Sequence, residues 1–357
     1  MIDKLTYERM NCRIYIQQLH PSFSTLSASL TMFSFSIFSI FSMQGNEQNL
    51  KRKPEETQQI QKAKAAKKEV DGIISTMVGL DGVKLQLEKW IKGLVLDQQR
   101  KNLGLELGTR KALHMAFLGN PGTGKTMVAR YLGKVLHKLG LTSTDKVVEV
   151  QRTDLVGEYV GQTGIKTRMK IKEARGGILF VDEAYKLVPH DIYEFGVEAL
   201  EEIMTAMDDK DIVVIFAGYS KEMERVIAAN HGFARRVTNF FYFEDYSSTD
   251  IALILQSKFV NQKNGSYIFG FKLHPDCTVD AVAKLIKEHT TEEQMRKMNG
   301  GLVDPLLVKA LDNLNFRLNE DCSDLDALMT ITMEDLEEGL KSLSSNEKEI
   351  VLPAMYI

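Results

Sequence analysis

Cysteine, proline and tryptophan are scarce: 357 residues contain 3 Cys, 7 Pro and 1 Trp. Cys12, Cys277 and Cys322 lie far apart, so they make neither a metal-ligand spacing nor an even disulfide framework. Such a chain is expected in a reducing compartment: the cytosol, the nucleus or an organelle interior. Net charge is small as well, with 45 Lys+Arg against 48 Asp+Glu giving −3. That balance, without a basic–aromatic stripe, argues against a protein that coats nucleic acid, and no specific nucleic-acid partner is expected. No internal repeat is visible. One absence is local: no Lys, Arg, Asp or Glu occurs between Pro21 and Asn46. The stretch is close to a membrane span in length, yet serine interrupts it every second or third residue. It stays open between a poorly ordered extension, a Ser-rich organellar leader and an anchor, so membrane contact through residues 21–46 is undecided.

What is present supports a folded, multi-part chain. The hydrophobic fraction of 44% is enough for real cores. Residues 1–50 read as a Ser/Phe-rich N-terminal extension. Residues 51–71 read as a basic linker or exposed helix carrying Lys51, Arg52 and Lys53. That basic run also fits a nuclear address, although a solvated linker is favoured. Residues 72–246 alternate strand and helix patterns. Apolar runs at 114–118, 147–150, 178–181, 212–216 and 239–243 predict strands of a mostly parallel sheet covered on both faces. Helical spacing predicts helices near 82–102 and from Thr126 to Gly140. After Asp245 the strand patterns stop, and 248–263, 279–289, 302–317 and 333–343 read as helices. Residues 247–345 are therefore expected to form a small all-α domain, and 346–357 a tail.

The chemistry begins at Gly119-Asn-Pro-Gly-Thr-Gly-Lys-Thr126, a full G-x-x-x-x-G-K-[ST] match between a strand and a helix. Gly122 and Gly124 let backbone N–H groups turn inward on phosphate oxygens, and the helix N-terminus adds its positive dipole end. Lys125 suits the β- and γ-phosphates, and the Thr126 hydroxyl suits Mg²⁺. With Asn120, Pro121, Thr123 and Met127 these residues make up the expected ATP-binding run. Downstream, Ile178-Leu-Phe-Val181 delivers Asp182 and Glu183 to the carboxyl end of a strand. Asp182 is the expected second metal ligand. Glu183 is the expected base that orients and deprotonates the attacking water. Together the motifs point to hydrolysis of ATP. The guanine signature N-K-x-D of the competing GTPases does not occur.

Several further segments resemble one family. Met77 to Val83, Phe117 to Thr126, Asp154 to Thr163, Gly176 to Ala184, Val213 to Tyr219 and Gly232 to Arg236 follow the order typical of AAA+ ATPases of the CbbX/CfxQ branch, with the sporulation protein K group as close kin. The resemblance spans about residues 72–345. It implies a P-loop NTPase core with a parallel five-stranded sheet, a helical lid, and a homo-oligomeric ring, usually a hexamer. It also implies a chaperone-like action on a protein client. Val78 and Gly79 would line the adenine site. Tyr219 takes the position of a polar sensor, and a core tyrosine is the alternative. Arg236 matches the arginine finger, with Arg235 beside it as the other candidate. Tyr159, between glycines, matches the central-pore aromatic, and a buried loop residue is the alternative. One departure concerns the lid, where relatives carry Asn-Gly-Arg and this chain has Asn299-Gly-Gly301. Gly301 cannot sense a phosphate, so either lid coupling is weaker or Arg296 substitutes. A slow ATP-dependent scaffold or switch therefore stands beside the remodelling reading.

Overall fold

A computed structural model describes residues 68, 70–105, 113–188, 195–209, 211–229 and 231–349. The N-terminal extension at 1–50, nearly all of the basic segment and the end of the tail lie outside the described residues.

The central sheet has five strands: β1 (Met115–Gly119), β2 (Val147–Val150), β3 (Ile178–Val181), β4 (Val213–Gly218) and β5 (Asn239–Phe243). Their order is β2-β3-β4-β1-β5, and all four pairings are parallel. Every residue of β1, β3 and β4 is buried. This is why their sequences are continuous apolar runs rather than alternating ones. The edge strands β2 and β5 keep partly exposed positions.

Alternation within β1 separates two cores. Met115 and Phe117 pack with α1 (Asp81–Asn102) and α2 (Lys125–Lys138) on one face. Ala116 and Leu118 pack on the other face with α3 (Arg152–Leu155), α4 (Thr163–Ala174), α5 (Gly196–Ala206), α6 (Ser220–Ala229) and α7 (His231–Arg236). Helix α2 presents Val128, Leu132, Val135 and Leu136 inward at helical spacing, and Gly140 follows it at φ +67°.

The first core runs on into the C-terminal helices α8 (Ser248–Val260), α9 (Val279–His289), α10 (Glu292–Met298), α11 (Val303–Arg317), α12 (Leu325–Met329) and α13 (Met333–Glu349). Ile251, Leu255, Ile286, Leu307 and Leu340 all belong to it. This part is not purely helical. Two short strands, β6 (Lys272–Leu273) and β7 (Thr330–Ile331), pair in parallel where the sequence patterns predict no strand. Two residues per strand are too few for a period-2 pattern to register. Among the described residues no helix is long and apolar enough to cross a membrane.

Candidate active site

Strands β3, β4 and β1 are neighbours and run parallel, so their carboxyl ends open on one rim, where ligands of parallel sheets bind. A cleft of about 330 Å³ lies there, lined by Gly119, Pro121, Gly122, Gly124, Lys125, Thr126, Asp182, Glu183, Tyr185, Gly218 and Tyr219. The structure thus brings together the phosphate-loop motif, the acidic pair and Tyr219, from segments about a hundred residues apart.

The loop from β1 to α2 turns through Gly122 at φ +70° and Gly124 at φ +85°. Both values are natural to glycine. At Gly122 space forbids a side chain as well, because a Cβ would lie 2.1 Å from the Met298 carbonyl oxygen. Thr123 is fully buried, and its hydroxyl donates to the Asn120 carbonyl at 2.8 Å. Lys125 Nζ donates to the carbonyls of Gly119 at 2.9 Å and Asn120 at 2.6 Å. Burial lowers the Lys125 pKa, opposed by the nearby Asp182, Glu183 and Asp245 carboxylates.

Asp182 accepts a bond from the Glu183 N–H at 3.0 Å, and burial raises its pKa. Glu183 has left-handed backbone, φ +49°. Its two carboxylate oxygens are engaged by different donors. The Tyr185 hydroxyl donates to Oε1 at 3.0 Å, and the Lys186 ammonium pairs with Oε2. The Lys186 bond holds the Glu183 pKa below its ordinary value. Burial and the Glu183 charge push the Tyr185 phenol well above its own, so it stays a donor. The Tyr185 ring packs on Tyr219, with centroids 5.5 Å apart. Tyr219 is half-buried and on the cleft wall, not sealed in the core.

Beside the loop lies a hollow of about 790 Å³ whose lining includes Val78, Gly122, Gly124, Met127, Tyr131, Tyr246, Ile254 and Gly300. Its apolar walls next to a phosphate loop suit a flat heteroaromatic ring. Gly79 opens with Val78 on an adjoining hollow, and a Cβ there would meet Asp250 Oδ1 at 2.8 Å and Tyr246 Cε1 at 3.1 Å. Tyr185 and Tyr246 line these hollows although no sequence motif singles them out. An aromatic just after each acidic or turn signal was the available hint: Asp182-Glu-Ala-Tyr185 and Asp245-Tyr246-Ser247.

The donor set fits a magnesium nucleotide. It offers backbone N–H groups and the Lys125 ammonium to phosphate oxygens, and the Thr126 hydroxyl and Asp182 carboxylate as hard oxygen ligands of the kind that Mg²⁺ takes beside phosphate oxygens and water. Among the described residues no group of three or more His, Cys, Asp or Glu could hold a metal alone. Thr126 and Asp182 would therefore share the ion with the nucleotide.

Other expected residues lie away from the cleft. Asn120 points to Asp245, with Nδ2 at 2.8 and 3.0 Å from its two oxygens. Arg236 makes a two-pronged bond to Asp208, Nε at 2.8 Å and Nη2 at 2.6 Å. Arg235 is exposed. Tyr159 is 68% exposed at a turn beside Gly161, so the buried alternative does not apply. Arg296 pairs with Glu292 on its own helix and does not line the cleft.

Comparison with known proteins agrees with this geometry. The model of the ATPase family associated with various cellular activities matches residues 115–245, and a domain of unknown function matches 245–344. Stage V sporulation protein K of Bacillus subtilis is 35% identical over 272 residues, covering 75% of this chain and 82% of that protein. The chloroplastic ribulose bisphosphate carboxylase/oxygenase activase of Cyanidioschyzon merolae is 40% identical over 188 residues, 52% of this chain and 64% of that protein. Protein CbbX of Cereibacter sphaeroides is 40% identical over 189 residues, 52% of this chain and 61% of that protein. The chain thus spans less than two thirds of these last two. A cleft lined by a phosphate-loop motif at the end of a five-stranded parallel sheet and a relative aligned over most of both chains have one reading: this chain belongs to the AAA+ ATPases of the CbbX/CfxQ type.

Proposed function

We propose that the chain assembles into a ring, a hexamer in the simplest case, and uses ATP hydrolysis to remodel a protein client. One observation carries the reading: Lys125, Thr126, Asp182 and Glu183 converge on a single cleft, and the described residues that line it include no arginine. Phosphoryl transfer is catalysed mainly by positioning and charge stabilisation. In this reading the loop amides and Lys125 hold the β- and γ-phosphates. Thr126 and Asp182 hold Mg²⁺, which when bound neutralises charge on the phosphates. Glu183 takes the proton of the attacking water, and Tyr219 contacts the γ-phosphate end. The missing transition-state cation comes from Arg236 or Arg235 of a second copy. The exposed Tyr159 and its neighbour Val160, 83% exposed, form an apolar tip that grips extended peptide. One relative is named as an activase of ribulose bisphosphate carboxylase/oxygenase, a protein acting on another protein.

The test is ATP turnover and client capture. Lys125→Ala is expected to abolish ATP binding. Glu183→Gln is expected to bind ATP, lose turnover by about a hundredfold or more, and retain ring and client for pull-down. A second reading, a slow assembly switch, draws on the bare Gly301 and on the engaged Glu183 carboxylate. Wild-type turnover no faster than that of Glu183→Gln would select it.

A further inference from the structure

The lid of this chain lacks the arginine that relatives would extend from position 301. Space is not the reason, since a Cβ on Gly301 meets nothing within 4 Å among the described residues. The lid nevertheless touches the phosphate loop directly. The Gly300 N–H donates to the Gly122 carbonyl at 3.1 Å. Asn299 is fully buried, and its Nδ2 lies 3.1 Å from the Pro121 carbonyl, 3.0 Å from Asp245 Oδ1 and 2.9 Å from the Arg296 carbonyl. Its Oδ1 accepts the Tyr246 N–H at 2.9 Å. Asn299 makes these contacts from φ +48°, ψ −133°, a conformation that L-residues avoid. Such a backbone persists only where the surroundings over-determine it, and here the side-chain bonds do so.

Asp245 is the shared acceptor. It takes Asn120 Nδ2 on both oxygens and Asn299 Nδ2 on one. A continuous path therefore runs from the loop residue Asn120 through Asp245 to Asn299, and so to the segment 292–302. Its loop end is also where Lys125 is tied down. The ammonium has three N–H groups, and two now face the Gly119 and Asn120 carbonyls. Bonding both a β- and a γ-phosphate needs at least two donors. Phosphate binding must then release at least one loop carbonyl, and both carbonyls belong to the stretch that carries Asn120.

We infer that Asn299, acting through Asp245 and Asn120, is the positioning residue that couples phosphate binding to the lid segment 292–302 in place of an arginine. The inference rests on reading residues 119–126 as the nucleotide phosphate site.

The experiment uses the full chain, hydrogen exchange of peptides spanning 292–302, a binding isotherm for a non-hydrolysable ATP analogue, and steady-state ATPase. The variants are Asn299→Ala, Asn299→Gly and Asp245→Ala. Glycine accepts the positive φ, so Asn299→Gly removes the bonds without backbone strain should Asn299→Ala not fold. In wild type the analogue changes exchange at 292–302. In Asn299→Gly and Asp245→Ala that change is lost and kcat falls about tenfold, while analogue affinity moves less than about threefold. Variants that keep both the nucleotide-dependent exchange and the wild-type kcat overturn the inference. So does a wild type that binds the analogue with no change at 292–302. Failure of the underlying site looks different: Lys125→Ala would then bind the analogue as well as wild type does, and the coupling would fall with it.

Discussion

Glu183 shows at the residue scale how a motif and its surroundings differ. The pair Asp182-Glu183 is readable because both carboxylates end one apolar run, and the strand must deliver them to its carboxyl tip. The state of the carboxylate is not readable, because it depends on how a left-handed residue and the 3₁₀ turn Ala184–Leu187 aim their side chains. With Tyr185 and Lys186 on opposite oxygens, neither oxygen faces water unaccompanied. Given the role proposed for Glu183, Lys186 restrains it: a charge-assisted bond makes a carboxylate a poorer acceptor of a further proton. Lys186→Met is therefore expected to raise kcat by about two- to tenfold with KM for ATP unchanged, and Lys186→Arg to stay near wild type. A lower kcat in Lys186→Met would show instead that the lysine aims the base. Asn299 was visible only as part of a family pattern. Its bond to Pro121 spans 178 positions, and no local spacing encodes such a partner.

Elements were legible in proportion to their burial. β1, β3 and β4 are buried throughout and announced themselves as apolar runs, while β6 and β7 offer two residues each. Missing from any pattern was the joint made by His114, just ahead of β1. Its buried ring accepts the Val214 N–H of β4 on Nδ1 at 3.0 Å, and Nε2 lies 2.8 Å from the Met207 carbonyl. Accepting on Nδ1 fixes a neutral ring that donates from Nε2 to that carbonyl. Burial is the main reason that its pKa falls below the ordinary 6.5. The sign follows from linkage. The unfolded chain takes up this proton near 6.5 while the fold resists it, so the stabilisation is complete above that pH and is lost as pH falls below it. Denaturant midpoints between pH 8 and pH 5 should decline on the acid side, with His114 contributing up to about 1.4 kcal/mol per pH unit. His114→Gln, less stable at pH 8, should show a shallower decline; equal slopes would remove His114 from the account.

At the scale of the whole molecule, the described residues that line the binding cleft include no arginine, and Arg236 is tied to Asp208 on its own chain. If Arg236 or Arg235 acts in trans, each active cleft needs two copies. Mixtures of wild type with Arg236→Ala or Arg235→Ala should then lose ATPase activity faster than the wild-type fraction falls. A linear decline for both would place the cation elsewhere. The fold class was legible because motif, strand and helix follow one another locally along the chain. The joining of the two halves was not, because it depends on close approach of bare backbone at Gly122 and Met298–Gly300. That approach has a consequence for recombination. The two family matches meet at residue 245, which suggests interchangeable modules. Yet Asp245 is itself the shared acceptor, and the 122 position tolerates no side chain against the segment at 298. A lid grafted from a relative must bring the same uncluttered backbone with it, so the seam in the family map is the place where a chimera is least free.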